Sequence, residues 1–282
     1  MISPSLALGN FDGVHTAHKA LISRAKAHGG RCAVFTFDTL CPPYITSPGE
    51  RLEIFRELGV DAVYLCSFEK VKNMEYGDFF IQILSERIGA GALFCGFNYT
   101  FGKGAQGKAA DLVRLCRDRN IFCSVMESYS LGGQTVSSSA VRHSLTEGEP
   151  EKAELMLGRP FSLSGTVIKG KGLGGKLGFP TLNITVDKGY VPLKKGVYFT
   201  RCEVEGRVFS AISDYGIRPT FNDGTLTLES FLLDTEGDFY GKQVRVEFLR
   251  FCREEQRFDS SEQLSNAVMS DIDKAKDYFN VT

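Results

Sequence analysis

One stretch decides the fold of the first half of the chain: Gly9-Asn10-Phe11-Asp12-Gly13-Val14-His15-Thr16-Ala17-His18. Residues 5–8 before it are mostly apolar and suit a buried strand, and apolar residues recur at helical spacing after it. The stretch is therefore predicted to be a glycine-containing turn that leads from a strand into a helix. Its two histidines are three residues apart and share one face of that helix.

The predicted turn is suited to holding a phosphate group. The N-terminus of a helix presents unpaired N–H groups and partial positive charge, and both attract anions. The imidazoles of His15 and His18 can add hydrogen bonds to a phosphate that gains charge during a reaction. Two histidines at this spacing can also be ordinary surface residues, but the Gly-Asn-Phe-Asp-Gly turn before them favours a phosphate site.

Strands and helices alternate as far as residue 126. Further apolar strands are predicted at residues 31–37, 62–66, 92–95 and 121–126. Helices are predicted between them at residues 49–58, 76–88 and 109–119, the first with Leu52, Phe55 and Leu58 on one side. The alternation predicts a parallel sheet with helices on both faces, whose ligands bind beyond the C-terminal ends of the strands.

Two more loops of this half can bind a ligand. In residues 96–104, aromatic side chains can stack on a planar ring while Asn98 pairs with its polar edge, although a glycine-rich connector with core aromatics fits equally well. Ser137, Ser138 and Ser139 open a helix, where serines are usually N-caps. Arg142, one turn into that helix, can clamp a phosphate beside the free N–H groups.

The pattern changes after Gly158-Arg159-Pro160. Short helices at 139–146 and 150–157 are followed by alternating segments at 161–168, 196–204, 207–213, 226–233 and 243–250. These predict an antiparallel barrel or sandwich, followed by a helix over residues 261–279. The predicted domains are therefore residues 1–157 and 158–282.

The second half has its own glycine-rich loop. Residues 170–178 offer backbone N–H groups and positive charge suited to a nucleotide polyphosphate, in the order Gly170, Lys171, Gly172, Gly174, Gly175, Lys176 and Gly178. A flexible hairpin is the alternative. Just after the loop, the oxygens of Thr181 and Asn183 lie on one side of an extended segment and suit a hard cation such as Mg²⁺.

Glu229 is the one carboxylate in an otherwise apolar or neutral strand segment, residues 227–233. If it faces inward, it is a candidate general base. If it faces outward, it is an ordinary solvated residue.

Composition limits the classes of function. The chain has 282 residues, with a net charge of -1, which argues against a broad nucleic-acid surface. No apolar run reaches membrane-spanning length, so we expect a cytoplasmic protein with no membrane partner. None of the eight cysteines forms a C-x-x-C motif, which argues against a zinc site.

These motifs, in this order, resemble the bacterial bifunctional riboflavin kinase/FMN adenylyltransferase (FAD synthetase) family. The resemblance runs from the Gly-Asn-Phe-Asp-Gly-Val-His stretch to Arg253–Phe258. It implies a Rossmann-like nucleotidyltransferase domain followed by a mostly β riboflavin kinase domain, a Greek-key barrel with a C-terminal helix. It also implies ATP, riboflavin and FMN as substrates, Mg²⁺ as cofactor, and a monomer or weak homo-oligomer.

The resemblance also implies residue roles. In the first domain the residues for ATP are Gly9, Asn10, Phe11, Asp12, His15, His18, Ser137, Ser138, Ser139 and Arg142, with His15 and His18 catalytic, and those for flavin are Asn98 and Phe101. In the second domain the residues for ATP are Gly170, Lys171, Gly174, Lys176, Gly178 and Thr181. Thr181 and Asn183 are implied ligands of Mg²⁺, Glu229 the base that takes the proton of the ribityl hydroxyl, and Arg253 and Phe258 flavin contacts.

The first domain departs from the family pattern in two places. Ala17 stands where glycine is usual, and residues 37–42 lack a histidine that could touch phosphate. These departures motivate a second hypothesis, a riboflavin kinase with an impaired adenylyltransferase domain. A third hypothesis is a flavin-binding sensor without catalysis.

Overall fold

A computed structural model describes residues 3–169, 181–217, 226–233, 237–256 and 258–280. The chain divides into two compact units between Ala140 and Val141. This division lies before the predicted boundary at residue 157, because the helix Pro150–Leu157 packs against strands of the second unit. The assignment of domains to residues 1–157 and 158–282 stays a prediction.

The first unit is built on a five-stranded parallel sheet with the strand order β3-β2-β1-β4-β7. Its strands are β1 (Ser5–Leu8), β2 (Cys32–Phe37), β3 (Ala62–Cys66), β4 (Ala92–Gly96) and β7 (Phe122–Met126). Two small hairpins add β5 (Thr100–Phe101) with β6 (Gly107–Lys108), and β8 (Ser130–Leu131) with β9 (Gln134–Thr135). The predicted parallel sheet is confirmed.

Helices cover this sheet: α1 (Thr16–Ala27), α2 (Pro48–Glu57), α3 (Phe68–Val71), α4 (Tyr76–Asp78), a π-helix (Phe79–Arg87), a 3₁₀ turn (Lys103–Ala105) and α5 (Ala109–Asp118). The helix predicted at 76–88 is therefore divided between α4 and the π-helix. In α2, Leu52 is exposed rather than inward, and Arg51 is buried together with Ile54 and Phe55. Arg51 can take a buried position because backbone carbonyls accept hydrogen bonds from its guanidinium.

Apolar side chains of the strands and helices form the core of the first unit. Phe80, Leu84 and Leu93 are fully buried, and each contributes roughly 1.5–3 kcal/mol through burial of its side chain. The polar turns at the strand ends lie outside this core and line a cavity.

The second unit is a closed antiparallel barrel with the strand order β10-β11-β14-β13-β12-β15. Its strands are β10 (Phe161–Ile168), β11 (Thr181–Val186), β12 (Gly196–Val204), β13 (Arg207–Ile217), β14 (Leu226–Leu232) and β15 (Gln243–Arg253). The structure thus favours the barrel over the sandwich, and it adds β11 to the strands that were predicted.

Three helices accompany the barrel: α6 (Ser138–Thr146), which begins before the division, α7 (Pro150–Leu157) and the C-terminal α8 (Ser261–Phe279). Helix α8 packs Ile272 and Ala275 on the outer barrel residues Val197, Phe199 and Ile212. The predicted C-terminal helix is confirmed. Within the described ranges, none of the helices has the length and apolar character needed to cross a membrane.

Candidate active sites

The two histidines of the opening turn lie against each other. His15 is the N-cap of α1, and its Nδ1 accepts a hydrogen bond from the backbone N–H of His18 at 3.3 Å. The two imidazoles are stacked, with ring centroids 3.6 Å apart and an angle of 12° between the ring planes. Because Nδ1 of His15 is an acceptor, a neutral His15 carries its proton on Nε2.

His18 is held in its neutral form. Burial and the neighbouring His15 lower its pKa well below the usual value of 6.5. Its Nδ1 is buried and has no hydrogen-bond partner among the described residues. A buried polar atom without a partner is costly in free energy, so its presence points to a ligand that completes it.

The turn before these histidines has a strained backbone. Phe11, Gly13 and Val14 have φ values of 54°, 80° and 39°, and the first and last of these are not glycine. Such conformations cost on the order of 1–3 kcal/mol each and persist only where the surroundings fix them.

Several contacts fix this turn. Asp12 Oδ1 accepts hydrogen bonds from the backbone N–H groups of Ile45 (2.8 Å) and Thr46 (3.3 Å). The hydroxyl of Ser138 donates to the carbonyl of Asp12 at 2.9 Å. Phe11 is fully buried, with its ring edge-on to Phe55. Phe11 and Asp12 therefore lie beneath the cavity wall and support it.

A cavity of about 690 Å³ opens at the C-terminal ends of β1, β2, β4 and β7. Its position is the one that the parallel sheet predicted. The predicted residues that line it are Gly9, Asn10, His15, His18, Asn98, Phe101, Ser137, Ser138 and Ser139. The structure thus brings together residues that are up to 130 positions apart in the sequence.

The residues of the predicted flavin loop, 96–104, differ in how far they are exposed at the cavity. Asn98 is exposed at the cavity. Phe101 is only 6% exposed and belongs to the core, stacked at 5.6 Å on Tyr99, although it also reaches the cavity wall. The most exposed ring of the loop is Phe97, at 55%.

Part of the cavity wall was not predicted from the sequence. Phe68, Lys72, Glu127 and Tyr129 also line it. Phe68 and Glu127 follow the C-terminal ends of β3 and β7, and that position was the signal that could have found them.

Three other predicted features of this domain lie as follows. Arg142 is on α6, beyond the division between the two units. Ala17, at the glycine position, is buried and lines the cavity. Of the segment that lacks a histidine, Asp38 and Cys41 are exposed.

In the second unit, strand register places five residues in one row across the barrel. Glu229 is the direct partner of Asn183 on one side and of Asp214 on the other. The row continues from Asp214 to Val197 and from Val197 to Arg253. Directly opposed residues of antiparallel strands project to the same side of a sheet. The predicted residues Asn183, Glu229 and Arg253 therefore share one face.

That face is the outside of the barrel. Leu228, Ser230 and Leu232 are buried, whereas Glu229 between them is half-buried, so its side chain projects away from the barrel interior. Of the two orientations considered for Glu229, the structure therefore shows the outward one, and its role as a base stays a prediction. The outer face nevertheless supplies it with polar neighbours, and Asn183 there is 8% exposed.

Arg253 is fixed by α8. Its guanidinium makes a bidentate ion pair with Asp271, with Nε and Nη2 3.0 and 2.7 Å from Oδ2. Asp271 is buried, at 3% exposure. The guanidinium carbon lies 6.0 Å from the centroid of the Phe258 ring, which brings the two predicted flavin contacts together.

The row carries an unusual carboxylate. Partial burial, Glu255 and Glu229 raise the pKa of Asp214 to about 6, although its side chain is partly exposed and Arg253 acts in the opposite direction. The neighbourhood of Glu229 is therefore negative and suited to cations.

Thr181 lies at the start of β11, and its Oγ1 is buried without a hydrogen-bond partner among the described residues. The glycine-rich loop with Gly170, Lys171, Gly174, Lys176 and Gly178 lies outside the described residues.

Comparisons with known proteins cover both units. A family model described as FAD synthetase matches residues 3–140, and one described as riboflavin kinase matches residues 157–279. Relatives named bifunctional riboflavin kinase/FMN adenylyltransferase are 31% identical in Listeria monocytogenes, over 99% of this chain and 93% of that protein, and 32% identical in Pseudomonas fluorescens, over 95% and 91%. The Escherichia coli K12 relative of the same name is 30% identical over 98% of this chain and 93% of its own length.

A solved structure has the same fold. The crystal structure of a protein named macrolide-efflux protein, from Streptococcus pneumoniae, matches with a TM-score of 0.88 and 25% identity. The match covers 97% of this chain and 94% of that one.

Proposed function

The chain belongs to the family of bifunctional riboflavin kinase/FMN adenylyltransferases, and we propose that its two domains carry out the two reactions that this name describes. The second domain transfers the γ-phosphoryl group of ATP to riboflavin and forms FMN. The first domain transfers the adenylyl group of a second ATP to FMN and forms FAD. The observation that carries the proposal is the presence of both family models on one chain, each over a unit with a candidate site.

In the kinase reaction, Glu229 accepts the proton of the ribityl 5′-hydroxyl as that oxygen attacks the γ-phosphorus and ADP leaves. Its half-buried position between Asn183 and Asp214 supports this role. Arg253 and Phe258 contact the flavin, and the ion pair with Asp271 keeps the guanidinium in place. The loop residues Gly170, Lys171, Gly174, Lys176 and Gly178, with Thr181, bind ATP in this proposal.

Thr181 and Asn183 hold Mg²⁺ in the same proposal. The fit rests on the chemistry of the donors: a buried hydroxyl oxygen that has no hydrogen-bond partner in the described part of the chain and a buried amide, both suited to a hard cation. Bound Mg²⁺ neutralises the charge of the ATP phosphates.

In the adenylyl transfer, a phosphate oxygen of FMN attacks the α-phosphorus of ATP and pyrophosphate leaves. His15, His18 and the serines 137–139 contact the ATP phosphates, and Gly9 and Asn10 form the adjoining wall. Phe11 and Asp12 act by holding the turn, and Arg142 adds a positive charge. Asn98 and Phe101 contact the isoalloxazine ring. Positioning and charge stabilisation supply most of the acceleration.

The match of both family models favours the two-reaction enzyme over a kinase alone and over a sensor without catalysis. We further propose that the enzyme acts in the cytoplasm as a monomer or weak homo-oligomer. We propose no nucleic-acid partner, because a net charge of -1 does not favour a broad nucleic-acid surface.

Isotopic label in ATP tests the assignment of the two reactions. Label in the γ-phosphate is expected in FMN made from riboflavin, and label in the α-phosphate is expected in FAD and not in FMN. Label from the α-phosphate in FMN, or no transfer from either position, would overturn the proposal.

A further inference from the structure

Arg51 is a buried arginine of the first unit that has no assigned role in the two proposed reactions. It lies on α2 and is 1% exposed. Its Nη1 donates hydrogen bonds to the carbonyl of Asn10 at 2.7 Å and to Oγ1 of Thr36 at 3.0 Å. Its Nη2 donates to the carbonyl of Phe37 at 2.7 Å. One side chain thus joins the turn after β1 to the C-terminal end of β2.

This arrangement is not what packing alone would select. A buried guanidinium loses its hydration, which its hydrogen-bond acceptors must replace. The acceptors here replace it only in part, because Nε of Arg51 is buried without a partner among the described residues. An apolar side chain would fill the same space without that cost.

Arg51 contacts the turn immediately before its strained residues. Asn10 directly precedes Phe11, whose φ of 54° begins the strained part of the turn. Hydrogen bonds from Ile45, Thr46 and Ser138 act on Asp12, later in the turn. Arg51 contacts the turn from the strand side, and Thr36 reinforces this contact by donating to the same Asn10 carbonyl at 3.1 Å.

We propose that Arg51 is a positioning residue for adenylyl transfer: its guanidinium holds the Asn10 carbonyl and thereby the turn that presents His15 and His18 to ATP. The inference rests on the proposed function of the first domain. Arg51 itself makes no contact with substrate in this role. Its substitution is therefore expected to change the KM for ATP, which binds at the turn, and not the KM for FMN.

Two substitutions on one helix test this in the full chain. Arg51→Met keeps an apolar stem and removes the hydrogen bonds of the guanidinium, and Arg56→Met makes the same substitution at an exposed position of α2. We expect Arg51→Met to raise the KM for ATP in FAD formation by about tenfold or more and to leave the KM for FMN within about twofold. Arg56→Met should match the wild type in both constants.

Milder variants keep the test decisive if Arg51→Met does not fold. Thr36→Val removes the hydroxyl that Arg51 and Asn10 share, and Arg51→Lys keeps the charge but reaches fewer acceptors. We expect both to raise the KM for ATP by about threefold, with riboflavin phosphorylation unchanged in the same preparations. An unchanged KM for ATP in both folded variants, or an equal rise for FMN, would overturn the proposal.

Failure of the proposed function is distinguishable from failure of this inference. If the wild-type chain forms no FAD, calorimetric titration with ATP replaces the KM. Weaker binding of ATP by Thr36→Val and Arg51→Lys then still supports the role of Arg51, and equal binding by all the variants contradicts it.

Discussion

Glu229 and Asn183 are direct cross-strand partners, on the outer face of the barrel, although 46 positions separate them along the chain. The pairing places the proposed base beside the proposed ligand of Mg²⁺. A base beside the bound phosphates can take the hydroxyl proton in the same step in which the phosphoryl group is transferred. The register of two strands therefore carries the chemistry proposed for the kinase domain.

Glu229→Gln should abolish the first reaction and spare the second. Glutamine keeps the shape of the side chain but accepts a proton poorly, so we expect riboflavin phosphorylation to fall by about 10²- to 10⁴-fold. FAD formation from added FMN should stay at the wild-type rate. The measurement is the rate of each reaction, and Glu203→Gln, an exposed glutamate of β12, is the matched control. A kinase rate within about threefold of the wild type would remove Glu229 from the mechanism.

Asp271→Asn should weaken riboflavin binding. The substitution removes the charge that fixes Arg253, and breaking a buried ion pair also destabilises the fold by about 3–5 kcal/mol. We expect a rise of about tenfold in the KM for riboflavin, with a smaller change in the KM for ATP, measured by steady-state kinetics. Asp273→Asn, on the exposed side of α8, is the control. Equal changes in both KM values would indicate a general loss of structure and no specific role for Arg253.

His18 makes stability depend on pH. Its pKa in the folded chain lies well below 6.5, so the unfolded chain binds more protons in acid. The contribution of His18 to stability is complete above about pH 6.5 and is lost as the pH falls from there through the folded pKa. His18→Asn should therefore flatten the fall in free energy of unfolding below pH 6.5. Urea unfolding followed by circular dichroism from pH 5 to 8 measures it, and parallel curves for the two proteins would contradict it.

Ala17→Gly should improve adenylyl transfer. Ala17 lines the cavity at the start of α1, where its methyl group narrows the space for the nucleotide. We expect kcat/KM for ATP in FAD formation to rise about threefold, at a cost of about 1 kcal/mol in helix stability. Ala20→Gly carries the same helix cost one turn later and separates the two effects. Equal results for both variants would show that the methyl group does not limit the reaction.

Local sequence patterns predicted most of the fold. The spacing of apolar residues indicated the parallel sheet and α8, and the turn at residues 9–18 indicated the edge of the sheet where the cavity lies. Strand β11 was missed as a strand, because its six residues follow a glycine-rich segment and the periodicity is too short to separate from a loop.

What local patterns could not predict depends on pairing across the chain. The alternation of residues along β14 separates Glu229 from the buried Leu228 and Ser230. Only the register with β11 and β13 shows that Asn183 and Asp214 lie beside Glu229 on the outer face of the barrel. Arg51 was passed over because a charged residue in a helix is normally placed on the solvent side. Its carbonyl partners come from β2 and the turn after β1, and only the folded chain brings them within reach.

The most direct test of the account follows the products of riboflavin, ATP and Mg²⁺ over time by chromatography with the wild-type chain. The account predicts that FMN rises first and is then converted to FAD, and that added FMN gives FAD without a lag. Accumulation of FMN with no FAD from either substrate would contradict the adenylyl transfer assigned to the first domain. Absence of FMN as well would contradict both assignments.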